Sequence, residues 1–369
     1  MKLALVGVGK AGSRIVDQIR RRETNTKRTF SRGNVLAFDT GESEYELDAI
    51  PHDQSIALGD THRRVSEAGV EGDVDLAAAV TAEERHDIRR VFDFLTINEV
   101  DGVLLVAGLG GGTGGGTGAV LIEELQDLFE KPIYALGVLP SKEEGGRPAL
   151  NAARSLPSFV RAADNVVLFD NESWSEADAE GPYEQTNRAL ATRVTSLFAA
   201  GELDGTRVAE SAIDSSDMTR TLATGGVSAI GYATLESDSG GGGVFSWLSN
   251  LFNGTDDEES IGPVEVKRLV RQAVDSRLTL PCNVASAERT LAVLSGPPSK
   301  LSRRGFESAR YWLEEETDTV EVLAGDEPNA RASELTATVL LSNVTDVPRI
   351  DALQEQALGH KQTLQTEQH

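Results

Sequence analysis

The chain opens on an apolar run, Leu3-Ala4-Leu5-Val6, followed at 12–21 by apolar positions recurring every three to four residues. That switch from continuous apolar run to helical spacing repeats through the first two hundred residues. Runs at 3–6, 34–38, 55–58, 103–107, 133–138 and 165–169 predict strands. Helical spacing at 12–21, 81–94, 119–129, 149–163 and 183–198 predicts the helices between and after them. Strands that alternate with helices predict an α/β fold built on a doubly wound, mostly parallel sheet. Ligands of such sheets bind at the carboxyl ends of the strands.

After residue 200 the pattern changes. A short helix at 218–223, a small-residue strand at 225–232 and a helix at 263–276 come first. Strands at 291–294, 319–323 and 337–341 then surround a helix at 302–316, which predicts a smaller α+β domain. Between them, 236–262 carries four consecutive glycines, an apolar cluster with Phe245, Trp247 and Phe252, and an acidic run. A loop of that length in a compact chain is functional, disordered or a packed flap. The organisation expected is 1–182, a nucleotide-binding domain; 183–217, a long central helix with the loop after it; 218–345, the α+β domain; and 346–369, a tail. The tail is polar, with a helical stretch at 350–358, and is either a docking segment for a protein partner or a frayed end.

With 369 residues and 39% hydrophobic content, the chain can fill two cores. No stretch approaches the ~20 apolar residues of a membrane span. The start enters a strand at once, without an export-type leader. Cys282 is the only cysteine, so no intrachain disulfide can form. A cytoplasmic protein is expected. The net charge of −24, from 59 acidic and 35 basic residues, repels nucleic-acid phosphate and anionic lipid. The acids are scattered, as suits a salt-rich cytoplasm, where the Debye length shrinks to about 3 Å at 1 M salt.

Chemistry concentrates in glycine. Gly110, Gly111, Gly112, Thr113, Gly114, Gly115, Gly116, Thr117 and Gly118 form an unbroken run between the strand at 103–107 and the helix at 119–129. A loop almost without side chains there can close backbone N–H groups on phosphate, and the helix start adds positive potential. A second candidate, Gly7-Val8-Gly9-Lys10-Ala11-Gly12, matches GxGxxG, with Asp39 closing the next strand where a ribose-binding acid would sit. Alone, that match points to an NAD-dependent oxidoreductase. Two phosphate-type loops on one sheet point instead to one nucleotide with several phosphates held between them. No GxxxxGK[ST] sequence occurs, so the chain is not a P-loop NTPase.

The segment Gly110-Gly111-Gly112-Thr113-Gly114-Gly115-Gly116 resembles the signature of the tubulin/FtsZ superfamily, and the likeness extends from Met1 to about Arg349. The resemblance implies a tubulin-like fold that binds and hydrolyses GTP, with Mg²⁺ as the expected companion ion. It implies that Gly9, Lys10, Ala11, Gly12, Ser13 and Arg14 form the first nucleotide loop, and that Gly110 to Gly115 grip the phosphates. Gly69, Gly72 and Asp73 belong to the loop that reaches the γ-phosphate. Glu144 and Asn171 fall on the ribose side. Tyr183 stacks on guanine and Asn187, four residues on, reads its edge; that spacing puts both on one helix face. Asp214 and Asp217 follow the central helix, where the family's loop enters the neighbouring subunit's pocket and its acids position the attacking water. On the residues alone, Asp214 or Ser215 is an ordinary helix N-cap. Ala212 replaces an asparagine of the family pattern, and Pro148 stands where bacterial FtsZ carries an arginine, with Arg147 adjacent. The acidic composition and the 236–262 insertion look most like CetZ, the haloarchaeal branch, which implies a role in cell shape. Copies assembling head to tail into a homopolymer are implied; heterologous contacts of that kind give open filaments. A GTP-binding regulator that never polymerises is the third alternative.

Overall fold

The computed structural model describes residues 1–41, 46–174, 183–202, 213–235, 261–275, 278–319, 321–329 and 331–367. The expected loop at 236–262 lies outside the described residues except for its last two positions, and so does Ala212.

The first half alternates as its pattern predicts: β1 (Leu3–Val8), α1 (Gly9–Thr26), β2 (Val35–Thr40), β3 (Ser55–Leu58), α2 (Val74–Glu83), α3 (Arg85–Val91), β4 (Gly102–Gly108), α4 (Gly112–Leu128), β5 (Ile133–Leu139), α5 (Gly146–Ala162), β6 (Asn165–Asp170) and a single turn, α6 (Asn171–Trp174). Next come α7 (Glu184–Phe198), α8 (Ser215–Leu222), β7 (Val227–Leu235), α9 (Pro263–Asp275), β8 (Arg289–Gly296), α10 (Arg303–Glu316), β9 (Val322–Pro328), β10 (Leu335–Ser342) and α11 (Pro348–Glu367).

The strands form one sheet in the order β3-β2-β1-β4-β5-β6-β7-β10-β8-β9. β1 to β6 pair in parallel. β1, β5 and β6 are buried at every position, as expected of parallel strands covered on both faces. β7 belongs to both halves: Val227 and Ser228 pair in parallel with β6, while Ala229 to Leu235 run antiparallel to β10. The α+β region therefore continues the first sheet.

Several boundaries move for local reasons. The helix expected at 81–94 begins at Val74, because the Asp73 carboxylate accepts the Leu76 N–H at 2.9 Å. It breaks at Glu84, whose carboxylate accepts the Gly59 N–H at 2.8 Å, and restarts as α3. The strand expected at 319–323 forms at Val322–Pro328, after a turn held by the left-handed Asp318 and the Thr319 hydroxyl on Glu288 O. The polar tail becomes a 20-residue helix, α11, with Leu353 and Ala357 buried.

Two of these elements place the ends of the molecule. α7 starts at the carboxyl ends of the parallel strands, where Tyr183 stands beside Gly9 and Gly110. At about 1.5 Å per residue its 15 residues span roughly 22 Å. It finishes at the amino ends, where the Met1 amino group donates to Phe198 O at 2.9 Å. α8 lies at that same end: Asn165, the first residue of β6, donates to Leu222 O at 3.1 Å.

Candidate functional site

A cleft of about 660 Å³ opens at the carboxyl ends of β1, β2, β4 and β5. Two helix starts form its floor. α1 begins directly after β1, with Val8 as its N-cap, and α4 begins after β4, with Gly111 as its N-cap; neither cap residue supplies a side-chain hydrogen bond. Each start thus presents uncapped N–H groups and the positive end of a helix dipole. Gly9, in the left-handed region at φ +67°, brings the two together: a Cβ there would sit 3.1 Å from Gly114 N. Paired helix starts of this kind, without side-chain caps, suit phosphate.

The glycine run is not the open loop expected. Helix α4 starts within it at Gly112, leaving only Gly110 and Gly111 ahead of the helix. The reason is close approach. A side chain at Gly114 would collide with Gly108 O, at Gly116 with Val74 O, at Gly115 with the Ser155 hydroxyl, and at Gly118 with the Phe159 ring. The glycines let α4 press against β4, α2 and α5. Gly12 does the same for α1, against the carbonyl of Val106 in β4.

The expected residues divide by position. Gly9, Lys10, Ala11, Arg14, Gly72, Gly110, Gly111, Gly112, Thr113, Gly114, Glu144, Asn171, Tyr183 and Asn187 line the cleft together with Asp39, Thr40 and Glu71. Gly12, Ser13 and Gly115 are buried behind its wall, Gly69 turns the adjoining loop at φ +82°, and Asp73 caps α2. Glu144 accepts from Ser141 N at 2.8 Å and from Asn171 Nδ2 at 3.2 Å, so the two ribose-side candidates touch. Burial pushes the Tyr183 hydroxyl above its ordinary pKa, and the neighbouring Glu144 carboxylate adds to the effect. Tyr183 is held at φ 72° as the residue before α7, and Asn187 N bonds back to its carbonyl at 2.8 Å.

Two features escape the sequence pattern, and a third, the position of Arg147 noted beside Pro148, is decided by packing. The Thr40 and Thr113 hydroxyls meet at 2.6 Å across the cleft floor. Buried Asn151 donates through Nδ2 to Gly72 O and Gly110 O, both at 3.0 Å, and ties two loops of the cleft together. Arg147 lies against the loop at Gly72, where a Cβ would come within 3.2 Å of its Cζ.

Asp214 and Asp217 are elsewhere. They cap α8 at the amino end of the sheet: Ser216 N and Asp217 N donate to Asp214 Oδ1 at 2.7 and 3.1 Å, and Asp214 N donates to Asp217 Oδ2 at 3.2 Å. The Ser216 hydroxyl first, and then the Asp217 N–H, hold the Asp214 carboxyl below its ordinary pKa.

Comparison with known proteins agrees with this geometry. The sequence model for the Tubulin/FtsZ family GTPase domain matches residues 2–178, and that for the tubulin-like CetZ C-terminal domain matches residues 176–359. The chain is 43% identical to the tubulin-like protein CetZ3 of Haloferax volcanii, across 97% of this chain and 92% of that one. It superposes on the GDP-bound monomer of CetZ1 from Haloferax volcanii with a TM-score of 0.80 at 37% identity, covering 98% of this chain and all of the other. Against the GTPγS-bound protofilament of CetZ2 from the same organism the TM-score is 0.82 at 32% identity, covering 99% and 100%. With paired helix starts around a glycine-built cleft and relatives matched over nearly its whole length, this chain belongs to the CetZ branch of the tubulin/FtsZ family.

Proposed function

We propose that this protein is a cytoskeletal GTPase that stacks head to tail into filaments, acts in cell shape, and hydrolyses GTP at the junction between two copies. The observation that carries the reading is the separation of its two halves. The cleft lies at the carboxyl ends of the sheet, and the acidic pair Asp214 and Asp217 caps α8 at the amino ends, about the length of α7 away. One copy cannot bring the two together; stacking the amino end of one on the carboxyl end of the next does so, and repeats without closing. The CetZ relatives with bound GDP and with a GTPγS-bound protofilament support the nucleotide and the assembly.

In this reading the N–H groups at the starts of α1 and α4 hold the phosphates. Gly72 and its loop face the γ-phosphate, Glu144 and Asn171 face the ribose, and Tyr183 and Asn187 hold guanine. Asp217, with Asp214, orients the attacking water; positioning and charge stabilisation carry most of phosphoryl transfer. Among the described residues no group of three or more His, Cys, Asp or Glu side chains assembles as a metal site. An Mg²⁺ here would take its ligands mainly from phosphate oxygens and water, and would neutralise phosphate charge. Among the described residues no helix is long and apolar enough to cross a membrane. We place the protein in the cytoplasm and divide it at 182, 217 and 345. The oxidoreductase reading of 7–12 gives way to the family: the first glycine turn is one of a pair.

Mixing two inactive variants tests the split site. Asp217→Ala keeps the cleft and lacks the acid; Tyr183→Ala paired with Asn187→Ala lacks the base site and keeps the acid. Each alone is expected to be nearly inactive, and the mixture to regain GTP turnover. A mixture no more active than its parts would refute hydrolysis at a junction.

A further inference from the structure

The C-terminal helix reaches back to the ribose side of the cleft. Arg349, in its first turn, is buried, with a side chain 7% exposed, and its Nε donates to Asp170 Oδ1 at 2.7 Å. Its Nη2 donates to Pro140 O at 2.6 Å. Those two partners are the roots of the ribose-side wall. Pro140 follows β5 and leads into the turn that carries Glu144, and Asp170 ends β6 immediately before Asn171. Asp170 also accepts the Ser173 hydroxyl at 2.6 Å, so it organises the α6 turn as well. Two turns further along, Gln356 Nε2 lies 3.4 Å from both Lys142 O and Gly145 O, at either end of the Glu144 turn. One turn beyond that, His360 packs on Gly146, where a Cβ would come within 2.5 Å of the ring carbon Cγ. Arg349, Leu353, Gln356, Ala357 and His360 follow helical spacing, so one face of α11 makes every one of these contacts.

We propose that α11 is a strap that sets the height of the ribose-side wall, with Arg349 and Gln356 as positioning residues for Glu144 and Asn171 and His360 packed on Gly146 beyond them. The proposal rests on the reading that Glu144 and Asn171 face the ribose. It makes nucleotide affinity depend on a helix that, among the described residues, contributes no lining residue to the cleft and meets it only through Pro140 O, so whatever lifts α11 loosens the hold on the sugar and leaves the phosphate floor intact.

Replacing Arg349 would strand the buried Asp170 carboxylate and endanger the fold, so the test uses the Gly146–His360 contact. Gly146 has no left-handed backbone requirement, and Gly146→Ala forces the base of the His360 ring, and with it the helix, away. The readout is the ratio of binding affinities for GTP and 2′,3′-dideoxy-GTP. A general loss of stability lowers both affinities together and leaves the ratio alone. The wild type is expected to prefer GTP. Gly146→Ala is expected to reduce that preference about threefold or more, a fraction of a hydrogen bond lost at the sugar, and the double variant with His360→Gly, which removes both the ring and the Cβ that the new methyl would meet, to restore it. A preference that Gly146→Ala leaves unchanged, or that His360→Gly fails to restore, overturns the strap alone. A wild-type ratio of one overturns both the ribose reading and the strap built on it.

Discussion

The two ends of the sheet are made in opposite ways. At the carboxyl ends, the cleft is built from what is missing: Gly12, Gly114 and Gly116 let helices touch the backbone of neighbouring segments, and two helix starts without side-chain caps form its floor. At the amino ends, Asp214, exposed, and Asp217, half-buried, are carboxylates that cap a helix of eight residues and satisfy each other's backbone. Binding is therefore inseparable from packing, whereas the proposed catalytic pair is an attachment that can be altered without disturbing the core. Such a division suits a site completed by a second copy, because the contributed half has to be on the surface before assembly.

That contrast can be broken, and the largest effect belongs to the cleft. Gly12→Ala sets a methyl against the Val106 carbonyl, and neither the strand nor the helix can retreat. A loss of about 3 kcal/mol or more is expected in denaturant unfolding, together with nucleotide binding. Gly111→Ala is the control, since its nearest neighbour would be 3.6 Å away; it should fold normally. At the other end, Asp217→Ala is expected to leave GTP affinity unchanged, to lower turnover about a hundredfold and to prolong the life of polymer. Loss of GTP binding in that variant would show that the ends are not independent.

Tyr183 sharpens the comparison, because there the cleft does rely on a side chain, held at φ 72°. Tyr183→Gly is expected to raise folding stability by about 1 kcal/mol by relieving the left-handed backbone. The same change should weaken GTP binding about tenfold by removing the stack. If stability and affinity fall together, the tyrosine is packing rather than recognition. The smallest effect is Asp214→Ala, about 1 kcal/mol for a lost N-cap. The Ser216 hydroxyl and the Asp217 N–H lower the folded pKa of Asp214, so its stabilisation is present above the unfolded value of 3.8 and is lost as pH falls through the folded value. The gap between wild type and variant in thermal unfolding should hold at neutral pH and shrink in strong acid; a gap that persists there would mean the cap does not depend on the charge.

The alternation of strand and helix was legible in the chain because each segment's own pattern records what it must bury. So were the places where glycine accumulates. The sequence pattern misjudged what the glycines are for: a run read as an open loop is mostly the first turns of α4, because helix or loop there depends on whether β4, α2 and α5 come close enough to exclude every Cβ. Asn151 and Arg349 look like any polar residue on a helix until folding brings Gly72, Gly110, Pro140 and Asp170 against them.

By itself, the order of apolar runs determined a parallel sheet, the two glycine motifs placed a nucleotide-type cleft at the carboxyl ends of its strands, and the acids after α7 were visible as a cap. Only the tertiary structure decided that cleft and cap lie at opposite ends, that α11 returns to the turn carrying Glu144, and that the two halves share one sheet through β7. The reason is physical. Local pattern encodes which face of a segment is buried, whereas distance between groups far apart in the chain is settled by how the segments pack, and no single segment carries that information.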